Sequence, residues 1–280
     1  MPELPEVETT RRGIEPALVG RTITGWTVRD SRLRWPVDVP AELKHQKIDA
    51  VQRRGKYLLL RCAPGTLILH LGMSGSLRVL DASEQPLKHD HVDLQIDSGK
   101  ILRLNDPRRF GCMLYQGGDD PMRHWLLNGL GVEPLGNEFS GGYLHKLSRN
   151  RKVAVKNFIM DGRIVVGVGN IYAAETLFLA GVRPATAAKR IPLYVYDRIA
   201  GAIREVLGKA VRQGGTTLRD FVGSDGKPGY FKQQLNVYGR QGEPCNRCMT
   251  LLKLQILGQR STVYCPICQP SQGFARSSRQ

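Results

Sequence analysis

The pattern of apolar and polar positions divides this 280-residue chain into two parts of different character. From Arg21 to about Gln116, short apolar or alternating runs are separated by Gly, Pro, Asp and Ser, which is typical of strands joined by turns. Because no long helical stretch interrupts them, these runs predict an antiparallel sandwich or barrel. The runs are RTITGWTVRD, KYLLLRC, TLILHLG, GSLRVL, HVDLQI and KILRL.

Helices are predicted on both sides of the strand-rich part. Before it, Pro5 and the glutamates that follow are typical of a first helical turn, and Pro16 should end or kink that helix before Gly20. After it, residues 117–140 are rich in Gly, Pro and acidic residues, which predicts a linker. Apolar residues then recur at helical spacing in VVGVGNIYAAETLFLAG and YDRIAGAIREVLGKAVRQGG. TTLRDFVGSDGKPGY (216–230) follows and predicts a mobile loop.

Charge suggests a polyanionic partner for the second half. The net charge is +16, yet residues 1–140 carry 19 basic and 18 acidic side chains, whereas residues 141–280 carry 22 and 7. Nucleic acid is the leading partner, an anionic membrane is the second, and a merely solvated basic face is the third. No apolar run approaches the ~20 residues of a membrane span, and the N-terminus is not of the signal-peptide type. We therefore expect a cytoplasmic protein.

The cysteines predict one structural zinc ion. Two Cys-x-x-Cys pairs are separated by 16 residues, which is the spacing of a four-cysteine zinc site. Disulfides are disfavoured because the chain has no secretion signal. Cys62 and Cys112 stand in apolar strands and are expected to be inert thiols. The predicted ligands are Cys245, Cys248, Cys265 and Cys268.

The N-terminus offers a nucleophile. A small residue such as Pro2 favours removal of Met1, which would leave Pro2 with a free secondary amine. An α-amino group has a pKa near ~8, so part of it is unprotonated at neutral pH and can form a Schiff base. Glu3 places a carboxylic acid beside it. Taken alone, these residues are explained better by an ordinary processed terminus.

Three further stretches suit nucleic-acid binding. Met73 stands between glycines in HLGMSGS (70–76), and Arg108 and Phe110 stand in NDPRRFG (105–111). Apolar and cationic side chains on loops are what a protein that inserts between bases needs. Without further evidence, however, Met73 and Phe110 are expected to face the core. Asn170 follows a Gly-rich turn that enters a helix, so it either contacts a phosphate or caps the helix.

Eight motifs occur in the order found in one family: PELPEVET, QRRGKYLL, HLGMSGS, KHDHVDL, DPRRFG, VGVGNIYA, SDGKPGYF and the four-cysteine finger. From Met1 to about Gln269 the chain resembles bacterial formamidopyrimidine-DNA glycosylase. Leu4 favours the purine-repair branch, because the sister group, endonuclease VIII, usually opens PEGPE. The resemblance implies an α+β fold with an N-terminal helix and antiparallel β-sandwich, a helical helix–two-turns–helix domain and a zinc finger. The implied ranges are 1–134, 135–230 and 236–270. The tail at 271–280 lies outside the resemblance and, because it is polar and basic, is expected to be disordered.

The resemblance also implies an activity. It predicts a monomeric, bifunctional DNA glycosylase and AP lyase of base excision repair, located in the bacterial cytoplasm and on the nucleoid. It would excise oxidised purines such as 8-oxoguanine and formamidopyrimidines from double-stranded DNA through a Schiff base, then cleave the strand by β,δ-elimination. One alternative is an oxidised-pyrimidine glycosylase of the endonuclease VIII type. The other is a non-catalytic zinc protein that binds damaged DNA.

Residue roles follow from the same resemblance. Pro2 matches the nucleophile, Glu3 the acid that assists base release, Lys56 the residue of proton transfer in β-elimination, and Arg260 that of δ-elimination. Met73, Arg108 and Phe110 match the triad that fills the gap left by the everted base, and 216–230 matches the loop that covers the lesion. DNA contacts are implied at His89, Arg108, Arg151 and Asn170; the position of Arg151 is often lysine.

Overall fold

The computed structural model describes residues 2–214 and 235–271 of the chain. Met1, the 216–230 loop and tail residues 272–280 lie outside the described residues. The chain forms two compact units. Among the described residues, the first comprises 2–129 with 210–214, and the second comprises 130–209 with 235–271.

Within residues 2–129, the first unit forms one α-helix and two four-stranded antiparallel sheets. The strand orders are β1-β6-β7-β5 and β2-β3-β4-β8. Strands β2 and β8 are additional to the runs named from the sequence, because IDAVQRR carries three charges and CMLYQG is short and half polar. The elements are α1 (Leu4–Leu18), β1 (Ile23–Val28), β2 (Ile48–Arg54), β3 (Tyr57–Cys62), β4 (Gly65–His70), β5 (Ser76–Asp81), β6 (Asp90–Ile96), β7 (Lys100–Asn105) and β8 (Cys112–Gly117), with short 3-10 turns at Ala41–Leu43 and Pro121–Arg123.

The core of this unit explains why its strands form where they do. Strands β3 and β4 are buried along almost their whole length, which agrees with their continuous apolar runs. Fully burying one such side chain contributes about 1.5–3 kcal/mol. Burial also raises the pKa of the Cys62 thiol to about 11 and that of Cys112 to about 12, so both thiols stay protonated and inert, as predicted.

Helix α1 is fastened to the strands by its apolar face and by one acidic residue. Val7, Ile14 and Leu18 belong to the core. Glu8 accepts from Arg11 and Arg12 on its own helix and from Arg53 Nε on β2, at 3.1 Å in the last case. Burial alone would raise the pKa of the Glu8 carboxyl, but the hydrogen bonds from the two helical arginines lower it overall.

Pro16 lies inside α1, and the helix continues two residues further before it ends ahead of Gly20, which has φ +82°. A proline in the last turn removes one helical hydrogen bond, which a helix tolerates more readily there than in its middle.

The second unit contains the remaining helices and one antiparallel hairpin. Within the part of the chain that the structure describes, even the longest helix has too many charged positions to cross a bilayer. The elements are α2 (Gly141–Ser148), α3 (Val155–Met160), α4 (Asn170–Leu179), α5 (Leu193–Arg212), β9 (Lys253–Leu257) and β10 (Arg260–Tyr264), with a short 3-10 turn at Ala188–Arg190.

The hairpin packs on α4 through a small core and a buried carboxylate. Ala174 and Phe178 of α4 contact Val237, Leu252 and Val263. Next to Ala174, the buried carboxylate of Glu175 accepts hydrogen bonds of 2.8–3.0 Å from the backbone N–H groups of residues 236–238 and from the Asn236 side-chain amide. The chain that leads into the hairpin is therefore fixed to the helix. The predicted α+β fold, with its helix, sandwich, helical part and cysteine finger, is confirmed.

Candidate active site and zinc centre

The start of the chain is held in place by α1. Pro2 and Glu3 are both buried, and Glu3 has extended backbone at φ −103° and ψ −171° immediately before the helix. The Glu3 N–H donates to Glu6 Oε2 at 2.8 Å, and Glu6 is itself fully buried. A hydrogen bond of this kind, made by a first-turn glutamate, fixes the direction in which the chain enters a helix. Pro2 therefore has a defined position.

Lys56 occupies the two-residue turn between β2 and β3. Gly55 adopts φ +57°, and its carbonyl oxygen accepts from Arg53 Nη1 at 2.9 Å. The same arginine donates from Nε to Glu8 of α1. The helix that follows Pro2 and the turn that carries Lys56 are thus tied to one another through β2. Lys56 is half-buried.

His70 is a candidate site residue that sequence reasoning missed. It ends β4 opposite Tyr57, and the two ring centroids are 4.8 Å apart. Burial, followed by the charges of Lys56 and Arg34, lowers the pKa of His70 to about 4, so the ring is neutral near pH 7. The Gly72 N–H donates to Nδ1 at 3.0 Å, which leaves the ring proton on Nε2. The only signal in the sequence was the position of His70 at the head of HLGMSGS.

Loops 70–76 and 105–111 carry the predicted inserting side chains. Phe110 is 45% exposed and Arg108 is exposed, so neither faces the core, whereas Met73 is half-buried. The Arg108 guanidinium carbon lies 5.1 Å from the Phe110 ring centroid, within cation–π range. His89, just ahead of β6, adopts φ +74° and is half-buried.

In the second unit, Asn170 and Arg260 are neighbours. Asn170 is the first residue of α4, and Arg260 is the exposed first residue of β10. Asn170 Nδ2 lies 3.3 Å from the carbonyl oxygen of Ser261, which follows Arg260. The amide at the N-terminus of α4 thus lies beside the backbone of the strand that begins with the exposed Arg260, and both side chains are of kinds that bind phosphate.

A buried lysine orients that amide. Lys156 of α3 is fully buried, and its Nζ donates to Asn170 Oδ1 at 2.6 Å and to Thr262 Oγ1 at 2.6 Å. An ammonium group can only donate, so the amide oxygen must face Lys156 and the amide nitrogen must face away. Sequence reasoning missed Lys156, because a lysine in a basic stretch such as SRNRKVAVK predicts a solvated side chain.

Arg151 lies apart from any helix, in the connection between α2 and α3. Its side chain is exposed. Its backbone is fixed on both sides, because its N–H donates to Ser148 O at 2.9 Å and its carbonyl oxygen accepts from the Lys189 N–H at 3.0 Å. The exposed Arg151 guanidinium is therefore carried by a segment whose backbone is fixed by hydrogen bonds.

The four predicted zinc ligands converge. Their Sγ atoms all lie within 4.8 Å of one another, and the Cys248 and Cys265 sulfurs are 3.4 Å apart. Tetrahedral Zn²⁺ with bonds of about 2.3 Å requires sulfurs about 3.8 Å apart, so the donor set fits zinc. The Cys268 N–H also points at Cys265 Sγ, 3.3 Å away. One structural zinc ion is thus confirmed.

The fold and these sites define a class of protein: a β-sandwich unit and a helical unit with a zinc-binding hairpin, each with exposed cationic side chains of the kind that bind a polyanion. Comparison with known proteins gives the family. The profile of the formamidopyrimidine-DNA glycosylase N-terminal domain matches residues 1–113, that of its H2TH domain matches residues 130–222, and that of the zinc finger found in FPG and IleRS matches residues 242–270.

Individual relatives agree along nearly the whole chain. A formamidopyrimidine-DNA glycosylase of Magnetococcus marinus is 58% identical over 273 residues, which cover 96% of this chain and 99% of the relative. The crystal structure of MutM (Fpg) from Thermus thermophilus is 37% identical and superposes with a TM-score of 0.86 over 96% of this chain and 98% of that one. Wild-type Lactococcus lactis Fpg (MutM), in complex with DNA that contains N7-benzyl-Fapy-dG, is 31% identical with a TM-score of 0.88 over 96% and 100% of the two chains. The chain belongs to the formamidopyrimidine-DNA glycosylase family.

Proposed function

We propose that this chain is a bifunctional DNA glycosylase and AP lyase that excises oxidised purines from double-stranded DNA. The observation that carries the proposal is the buried Pro2-Glu3 pair fixed at the start of α1, in a chain that is 58% identical to a named glycosylase. The Lactococcus relative binds DNA with a ring-opened purine, which supports the purine substrate class.

The target nucleotide has to leave the stack before Pro2 can reach it. Everting a nucleotide from a duplex costs on the order of a few kcal/mol. Met73 and Phe110 on their loops fill the vacated space and offset part of that cost, and the exposed Arg108 joins them.

The chemistry then begins at the terminus. With Met1 removed, the Pro2 nitrogen attacks C1′ of the sugar, and the bond from C1′ to the base breaks. Glu3 provides the acid that assists release of the base and opening of the sugar ring. The product is an iminium ion between Pro2 and C1′, which withdraws electrons from the neighbouring C2′.

Strand cleavage follows from this iminium ion. The proton on C2′ becomes acidic, and Lys56 acts in the proton transfer that expels the 3′ phosphate. Arg260 assists the second elimination, which releases the 5′ phosphate. The zinc ion takes no part in these steps, because four thiolates leave it no open coordination position for substrate; it holds the hairpin that carries Arg260.

The remaining cations bind the strand. His89, Arg108 and Arg151 contact the DNA, and Asn170 binds a phosphate at the N-terminus of α4.

We assign residues 1–134 to a catalytic domain, 135–230 to a helical DNA-binding domain and 236–270 to the finger. The enzyme works as a monomer in the bacterial cytoplasm and on the nucleoid; size-exclusion chromatography with light scattering tests the first point, and cell fractionation tests the second.

Borohydride trapping tests the proposal. Purified protein with Pro2 at its terminus is mixed with 8-oxoguanine duplex, thymine-glycol duplex and undamaged duplex, and borohydride is added. We expect a covalent complex with 8-oxoguanine DNA that exceeds the other two. Protein that retains Met1 should form none, because its Pro2 nitrogen is an amide.

Each of the other results contradicts the proposal. More trapping on thymine glycol than on 8-oxoguanine indicates the oxidised-pyrimidine activity. Binding to damaged DNA without any trapped complex indicates a non-catalytic binding protein. Equal trapping by protein with and without Met1 rules out Pro2 as the nucleophile.

A further inference from the structure

Loops 70–76 and 105–111 meet at one buried carboxylate. Asp106 is fully buried in the second loop. Its Oδ1 accepts from Ser74 Oγ of the first loop at 3.0 Å, and its Oδ2 accepts from the Gly111 N–H of its own loop at 2.7 Å. The Arg108 N–H lies 3.3 Å from Oδ1. One side chain therefore holds both loops.

The backbone of Asp106 also forms hydrogen bonds with His89 and with His91 of β6. Its N–H donates to the His89 carbonyl oxygen at 3.0 Å, and its carbonyl oxygen accepts from His91 Nε2 at 2.9 Å. His91 is buried, so this hydrogen bond is shielded from water. The segment that carries His89 is thus tied to the same residue.

The two loops also abut backbone to backbone. A Cβ on Gly72, which has φ +61°, would lie 2.4 Å from the Phe110 carbonyl carbon. A Cβ on Gly111 would lie 2.6 Å from the His70 carbonyl oxygen. Only glycine fits at these positions, so the loops fit together as closely as the backbone allows.

We propose that Asp106 is a positioning residue that joins the two loops into one rigid wedge, so that Met73, Arg108 and Phe110 enter the duplex together. This inference rests on the proposed function. Insertion favours a wedge that is already ordered, because a mobile loop loses conformational entropy when it enters the stack. Removing the carboxylate should therefore weaken eversion of the base more than the later chemistry at Pro2.

The chemistry of the site explains why a carboxylate is needed. Both of its oxygens accept hydrogen bonds from groups in the two loops. Asparagine has the same shape, but its NH₂ group would face either the Gly111 N–H or the donors on the Ser74 side, and one of these donors would stay unsatisfied. Asp106→Asn thus disturbs the fastening without creating a cavity, and Asp106→Ala removes it.

The experiment compares two activities of the same protein. Excision of 8-oxoguanine from duplex requires eversion, whereas β-elimination at an abasic site in a single strand requires neither eversion nor a wedge. We expect Asp106→Asn to lower single-turnover excision about 10- to 150-fold, as for loss of a hydrogen bond to a charged group. Cleavage of the single strand should change less than about threefold, and Ser74→Ala should give a smaller change in the same direction. Fluorescence of 2-aminopurine beside the lesion should show slower eversion.

Asp93→Asn is the matched control, because Asp93 is another buried carboxylate of the first unit but pairs with Arg103 and Arg29. It should lower thermal stability yet leave the ratio of the two activities unchanged. The inference is overturned if Asp106→Asn lowers both activities in parallel, as a merely structural change would, or lowers neither. Failure of the proposed function looks different, because wild-type protein would then release no base and form no borohydride adduct.

Discussion

The two units hold their proposed DNA-contacting side chains by different means. In the first unit, α1 and two sheets enclose a large apolar core, and loops 70–76 and 105–111 extend from those sheets. In the second, the hairpin has little apolar burial of its own: Leu254 and Ile256 on β9 are 50% and 65% exposed. Zinc, Lys156 and Glu175 supplement the small apolar core beneath the hairpin. The first unit should thus depend on packing, and the hairpin of the second unit on a metal and a few buried polar groups.

Removal of zinc should give the largest difference in stability between the two units. Cys265→Ser, or chelation, should unfold the hairpin, because structural zinc contributes about 10–16 kcal/mol to small domains of this type. The first unit should stay folded. Its stability can be followed separately, since the three tryptophans of the chain, Trp26, Trp35 and Trp125, all lie in it. We expect an unchanged tryptophan-detected unfolding midpoint together with DNA affinity reduced at least about 100-fold.

Cys62→Ser is the control, because Cys62 is a buried thiol far in sequence from the finger. It should retain zinc in a metal assay and retain DNA binding. A tryptophan-detected midpoint that falls along with zinc loss would show that the first unit also depends on the metal, and the contrast drawn between the units would then be wrong.

Lys156→Met tests the polar part of the second unit. The change keeps most of the side-chain volume but leaves Asn170 Oδ1 and Thr262 Oγ1 without their donor, which should cost about 2–4 kcal/mol. Hydrogen exchange should speed up in α4 and β10 and stay unchanged in β3 and β4. Lys146→Met, at an exposed lysine of α2, removes the same charge and should leave exchange unaltered. Equal effects of the two variants would mean that Lys156 acts only through its charge.

The sequence predicted elements and sites with different success, for physical reasons. Helix α1, six of the eight strands of the first unit and the zinc site were predictable, because periodicity and ligand spacing are local properties. Lys156, His70 and Asp106 were not found. Each draws its role from partners distant in the chain, as when Lys156 contacts Thr262, and single-sequence patterns carry no information on such contacts.

The smallest expected effect is that of His70→Gln on the pH dependence of the stability of the first unit. The pKa of His70 falls from an ordinary value of 6.5 to about 4, so between these pH values the unfolded chain binds a proton that the folded chain does not. Stability of the first unit should therefore fall as the pH drops from 6.5 to 4, by about 2–3 kcal/mol from this residue. Glutamine does not titrate, so the variant should lose less over the same range. Urea unfolding followed by tryptophan fluorescence at pH 7.5, 5.5 and 4.5 measures the difference.

Comparing wild type with His70→Gln separates the titration of His70 from that of other groups. Carboxylates such as Glu8, whose pKa is lowered in the folded state, also reduce stability in acid, but they do so equally in both proteins. The difference between wild type and His70→Gln thus isolates the imidazole. Parallel curves for wild type and His70→Gln would mean that His70 titrates normally, and that burial beside Lys56 does not keep it neutral.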